Sequence, residues 1–379
     1  MDLLDYIKWR GDLSFENSPL NTIDALIFCQ LSYLHFDKIV SENFENPRSL
    51  NEVANSYASD NFEKRKDLGI FINPKLIELL FSCAESVRFS NVQVTGFKEK
   101  NCELQDEQFS AVTFLNKSKS KESNFVFVAF RGTDDTLLGW KEDCDLAFKE
   151  NLPGQKDALL YLEEASKQFK KMNLYCGGHS KGGNLAIYAG ANINQKIQKS
   201  IFQVYNFDGP GFLKEVLQTQ RFQDILPKTT TVFPQGSIVG MLFEHDSRFI
   251  IAKSEGSLVG QHDPFSWEIC GPDFDFAENL EKYSLFFNET FNQWFVQLTS
   301  SQRKQFVETL FDVLESTEAK TTSELMENWA KNGGKILIAF ASLDKEIRNS
   351  VLDIAHQFIS MARKNIFSGE KAKSKKMKI

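Results

Sequence analysis

The stretch Leu174-Tyr175-Cys176-Gly177-Gly178-His179-Ser180-Lys181-Gly182-Gly183-Asn184-Leu185-Ala186-Ile187-Tyr188-Ala189 decides the fold. A short apolar run enters a glycine cluster, and a small-residue helical pattern leaves it. Inside lies G-x-S-x-G, centred on Ser180. That order predicts a strand, a sharp turn and a helix, with the serine at the apex. So tight a turn strains the backbone, and side chains two positions either side of the serine would collide with a neighbouring strand or helix. Gly178 and Gly182 meet that demand. The helix beyond aims its N–H groups at the serine, which suits a developing oxyanion. The plainer alternative is a strand-to-helix turn with a serine cap; the flanking patterns favour a nucleophile.

Working outward, Phe125–Phe130 is a continuous apolar run, as expected of a strand covered on both faces. Val92–Phe97 and Phe109–Leu115 alternate and read as strands before it. Ile201–Phe207 and Thr229–Phe233 read as strands after the serine. Phe249–Ala252 and Ser257–Val259 suggest a closing hairpin. Helices are expected at 21–33, where Asn21 caps an apolar stripe, from Pro74 onward, and at 157–171. The stretch 137–150 mixes Trp140, Leu146 and Phe148 with charges and reads as a flap. Strands alternating with helices imply an α/β fold with a mostly parallel sheet. From about residue 279 only helical patterns remain. Phe306, Leu310, Val313 and Leu314 share one stripe, and Ile347, Val351, Ile354 and Phe358 another. Thr321 and Glu324 form a capping-box pattern. The expected organisation is an α/β domain over 1–275, a helical region over 276–365 and a basic disordered tail over 366–379.

Composition narrows the function. A net charge of −7 argues against nucleic-acid partners. The exception is the lysine-rich end from Lys371 to Lys378, a solvated tail or a weak contact for an anionic membrane surface. No apolar run reaches the ~18 residues of a transmembrane helix, and the N-terminus has no signal-peptide pattern. The six cysteines lack metal-ligand spacing, so free thiols, a cytoplasmic location, no metal and no cofactor are expected. The 35 phenylalanines read first as core filling and second as a lipophilic surface.

A serine nucleophile needs a base, a group that orients the base, and donors for the oxyanion. Of the five histidines, His35 and His356 sit on or beside helical stripes, and the side chain of His179 should point away from the serine's. His262 and His245 remain. His262, in a Gly/Asp/Pro loop after the last strand, comes last in the order Ser, acid, His that such folds use. Asp208 ends the strand after the serine helix, where sheets of this kind place working groups. It is equally suited to a turn or cap, and Glu244 is the alternative acid. The oxyanion donors would be the N–H of Lys181 and that of Thr133, at the end of an earlier strand.

Phe130-Arg131-Gly132-Thr133 with Gly178-His179-Ser180-Lys181-Gly182-Gly183 resembles the class 3 lipase pattern. Closer still, Phe130–Thr136, Gly139–Asp143, Gly178–Ala186 and Gln261–Trp267 resemble the bacterial Mbeg1-like family (DUF2974), a branch of the α/β-hydrolases. The resemblance runs from about Tyr6 to Trp267. It implies an α/β-hydrolase fold, Ser180 as nucleophile, and Thr133 and Lys181 as oxyanion donors. Two departures from the lipases stand out. Lys181 replaces an apolar residue, and Phe233–Gly240, where class 3 lipases carry the triad aspartate, contains no acid. Two functions follow. One is a serine hydrolase acting on a carboxylic ester, such as a lipid ester or a small lipophilic ester. The other is a non-catalytic relative that binds a ligand or partner.

Overall fold

The computed structural model describes residues 1–59, 62–69, 72–102, 107–134, 136–145, 152–319, 324 and 329–376. Its centre is an eight-stranded sheet in sequential order. The strands are β1 (Arg48–Ser49), β2 (Gln93–Cys102), β3 (Glu107–Asn116), β4 (Phe125–Phe130), β5 (Asn173–His179), β6 (Ile201–Phe207), β7 (Thr229–Pro234) and β8 (Ile250–Ala252). β1 to β4 pair antiparallel, and β4 to β8 pair parallel. β4 is buried at every residue, which is why it reads as an unbroken apolar run.

Each face of the sheet carries its own apolar core. On one face, helix Thr22–Leu31 packs on β4 and β5. Asn21 caps it, accepting from the N–H groups of Ile23 and Asp24. Phe28 lies 4.7 Å from Phe114 and 5.3 Å from Phe127, ring centre to ring centre. Much of the phenylalanine surplus is therefore core. On the other face, helices Pro153–Gln168 and Lys181–Asn192 pack on the sheet and on each other. The second is buried from Lys181 to Ala191, so small residues are what let it lie so close to β5 and β6.

Several expectations need correction. There is no closing hairpin. β8 joins β7 in parallel, and Leu258–His262 forms a 3-10 turn. Flanked by Gly256 and Gly260, that apolar run is too short to form a paired strand. The flap region opens with a helix, Leu137–Asp145, whose Glu142 is buried. Its Leu146 and Phe148, like Thr321 of the capping-box pattern, lie outside the described residues. In helix Ser300–Glu315 the buried residues are Val307, Thr309, Phe311 and Val313, while Leu310 is exposed. That helix has neighbours on more than one side, so a single stripe does not describe it. The last helix runs Lys345–Lys376, through the stretch read as a disordered tail; Lys, Glu and Ala are strong helix formers. No helix among the described residues is long and apolar enough to cross a membrane.

The C-terminal helices rest on the sheet domain. Helix Lys282–Gln297 meets the Val239–Met241 turn after β7, and helix Ser300–Glu315 meets helix Leu137–Asp145. Lys141 and Glu315 pair across the second contact at 3.8 Å.

Candidate active site

Ser180 sits between β5 and helix Lys181–Asn192 at φ 58° and ψ −135°. A non-glycine residue held there costs about 1–3 kcal/mol and persists only where its surroundings dictate it. They do so here. The Ser180 N–H donates to Phe207 O at 2.9 Å, and Gly183 N–H donates to Ser180 O at 2.9 Å. A Cβ on Gly178 would overlap the Gly182 backbone, and one on Gly182 would overlap the Phe130 carbonyl. Only glycines let β4, β5 and the helix approach so closely. A Cβ on Gly132 would overlap the His179 carbonyl and press on Ser180 Cβ. The turn after β4 thus lies against the serine, and buried Thr133 follows directly. Lys181 is the first residue of the helix, where N–H groups have no partner within the helix.

Asp208 follows β6 at φ 51° and is fully buried. The Nδ1–H of His262 donates to its Oδ2 at 2.6 Å, and Ser237 Oγ donates to its Oδ1 at 2.5 Å. Burial raises the Asp208 pKa; His262 and Ser237 pull it back, and a net rise remains. The His262 side chain is 24% exposed, so the ring lies between buried carboxylate and open space. His245 points elsewhere. Its Nε2 meets Leu242 O at 3.2 Å, and burial pulls its pKa down to about 4. Glu244 is exposed, and its backbone bridges Phe212. The structure therefore brings residues 208 and 262 together and leaves 244 and 245 apart from them. Ser237 lies within Phe233–Gly240, the segment without an acid, and serves the acid of the preceding strand.

The loop carrying His262 is fixed at successive residues. Gln261 Oε1 accepts from Gly236 N–H at 2.6 Å, and Gln261 O accepts from Trp267 Nε1 at 2.7 Å. Asp263 accepts from Asn73 Nδ2 at 2.7 Å. His262 O meets His179 Nε2 at 2.8 Å, and the two rings lie 4.5 Å apart. Burial holds the His179 pKa well below its usual value, so the ring is neutral. Its Nε2–H then donates to His262 O, and its Nδ1 accepts from Tyr33 OH at 3.1 Å. His179, the residue before Ser180, thus holds the loop that carries His262.

Lys181 is nearly as buried as the glycines around it. Its Nζ meets Glu142 Oε2 at 2.9 Å and Gln108 O at 3.1 Å. Glu142 also accepts from the N–H groups of Gln108 at 3.1 Å and Gly154 at 2.9 Å. Gln108 in turn bonds Asp134 and Thr136. A polar web thus ties the serine helix, the Thr133 turn and helix Leu137–Asp145 together. A lysine opening an otherwise small and apolar helix implies a buried anion, since buried charges are paired. That signal was available in the sequence; its partner was not. On the other flank, Asn184 Nδ2 donates to Pro210 O at 3.1 Å and Gly211 O at 2.9 Å, pinning the turn after Asp208.

Ser180 opens into a cavity of about 240 Å³. Phe243, Phe291, Trp294, Phe295 and Phe306 line it, with Cys144 at one side. Arg303, also in the wall, lies 3.6 Å over the Phe295 ring and donates to Phe295 O at 2.7 Å.

The Mbeg1-like family model matches residues 83–312, more than half of the chain. No curated protein matches. Among solved structures, the chain is similar to an MDLA mutant from Penicillium cyclopium at 12% identity, covering 66% of this chain and 82% of that one, with a TM-score of 0.39. It is similar to Lip2 lipase from Yarrowia lipolytica at 19% identity over 47% and 70% of the two chains, TM-score 0.30. Rhizomucor miehei lipase gives 14% over 60% and 67%, TM-score 0.35.

Proposed function

This chain belongs to the Mbeg1-like family, and we propose that it is a serine hydrolase that cleaves a carboxylic ester through an acyl-enzyme on Ser180. The observation that carries the reading is the 2.6 Å contact of His262 Nδ1 with buried Asp208, on a loop packed against the residue before a strained serine. In the proposed mechanism, Ser180 Oγ attacks the acyl carbon and His262 Nε2 takes its proton. Asp208 keeps Nδ1 protonated and stabilises the imidazolium. The N–H groups of Lys181 and Thr133 receive the oxyanion. Collapse expels the alcohol, which His262 protonates. Water then enters by the reverse proton path and frees the acid. No metal or cofactor takes part in this scheme.

Turnover of p-nitrophenyl acetate tests the assignment. Ser180→Ala should abolish it, and Asp208→Asn should lower kcat by about 10³–10⁴. Glu244→Gln should stay within twofold of wild type. A large loss in Glu244→Gln with little in Asp208→Asn would contradict the acid assignment.

A further inference from the structure

We propose that the C-terminal helices are the acyl-chain site of this protein, and that the cavity they roof selects an ester of a medium-length fatty acid. The proposal rests on the nucleophile reading above and adds the substrate class. Ser180 itself borders the cavity, so an acyl carbon bonded to Ser180 Oγ has its chain at the entrance. Half of its lining residues, and most of the aromatic ones, lie beyond residue 280. Phe291 and Phe295 come from helix Lys282–Gln297, and Phe306 and Val307 from helix Ser300–Glu315. Phe243, after β7, closes the side at 5.8 Å from Phe291 and 5.2 Å from Phe295.

The lining chemistry specifies the ligand. Aromatic and aliphatic groups dominate it, and the Arg303 guanidinium in the same wall stacks over the Phe295 ring and donates to the Phe295 carbonyl. A mostly apolar lining of that kind gains by taking up an apolar group. Size sets the length. A cavity of about 150 Å³ holds benzene, so 240 Å³ scales to roughly eight to ten carbons. The roof is braced from behind. Trp294 Nε1 donates to Ile354 O at 3.2 Å, and its ring lies 5.3 Å from Phe358 on the last helix. Both residues belong to the stripe read from the sequence, which thus supports a binding wall.

The test uses the full chain and two readouts. The first is kcat/KM for p-nitrophenyl acetate, octanoate and palmitate. Octanoate should exceed acetate by at least about a hundredfold, because each methylene in a fitted pocket adds to transition-state binding, and palmitate should fall below octanoate. Val307→Trp, which fills the cavity, should lower the octanoate-to-acetate ratio at least tenfold. Phe306→Ala, which enlarges it, should move the optimum to longer chains. Ratios within one protein are independent of the folded fraction. The second readout is calorimetric binding of decanoate to Ser180→Ala, expected to weaken at least tenfold when Val307→Trp is added. Decanoate binding without any ester turnover would overturn the nucleophile and keep the acyl site. Turnover with equal rates on acetate and octanoate, and a ratio unmoved by Val307→Trp, would overturn the acyl site and keep the nucleophile.

Discussion

At Asp208, two side-chain donors converge on a carboxylate that solvent does not reach. Burial alone favours the neutral acid, and the donors from His262 and Ser237 work against it. Removing one shifts that balance in a known direction. Ser237→Ala takes away a donor to the charged form, so the Asp208 pKa rises further. The ionised acid needed to hold His262 is then lost at a higher pH. We predict that the acidic limb of the kcat/KM profile moves upward in pH, and that kcat/KM at neutral pH falls about tenfold, the scale of one charge-assisted hydrogen bond. An unshifted limb would deny Ser237 this role. The places of Ser180, His262 and Asp208 in the fold were legible because each sits in a local pattern: an elbow, a loop after the last strand, a strand end. Ser237 and His179 were not. Their partners lie 29 and 83 positions away, and nothing local marks a serine or histidine for a distant carboxylate or carbonyl.

Helix Leu137–Asp145 is joined to the serine helix by one ion pair whose two side chains are 3% and 1% exposed. Such a pair stabilises little against an apolar substitute, but half of it is costly. Glu142→Gln removes a buried anion bonded to the Lys181 ammonium, with an expected loss of up to about 3–5 kcal/mol. The urea midpoint should report it. Lys181→Met with Glu142→Gln should lose less than the two single losses added. A Glu142→Gln midpoint equal to wild type would mean that the pair does not fasten the helix. The sequence pattern of this stretch did not show the buried ion pair that fastens its helix. Mixed apolar and charged residues read as mobile when each charge is assigned to water, whereas Glu142 is assigned to Lys181. The parallel strands were read almost to the residue, because an unbroken apolar run has only one place in a sheet covered on both faces. The hairpin after β8 failed because a three-residue apolar run fits a 3-10 turn as well as a strand.

Across the whole molecule, two bodies of sequence meet at one hydroxyl. The sheet domain supplies the strained serine, the turn after β4 that lies against it and the bonded Asp208–His262 pair. The C-terminal helices supply most of the apolar wall facing it. Their helical character and one of their stripes were legible. Their position over Ser180 was not, since a cavity belongs to the packing of segments and leaves no periodic trace in any one of them. The account stands or falls on whether that serine is a reactive nucleophile. Intact-mass spectrometry after treatment with ethyl fluorophosphonate measures it directly. One phosphonyl adduct on the wild-type chain, mapped to Ser180 and missing from folded Ser180→Ala, is the predicted result. A wild-type mass that stays unchanged between pH 6 and 9, or an adduct retained in Ser180→Ala, would contradict it.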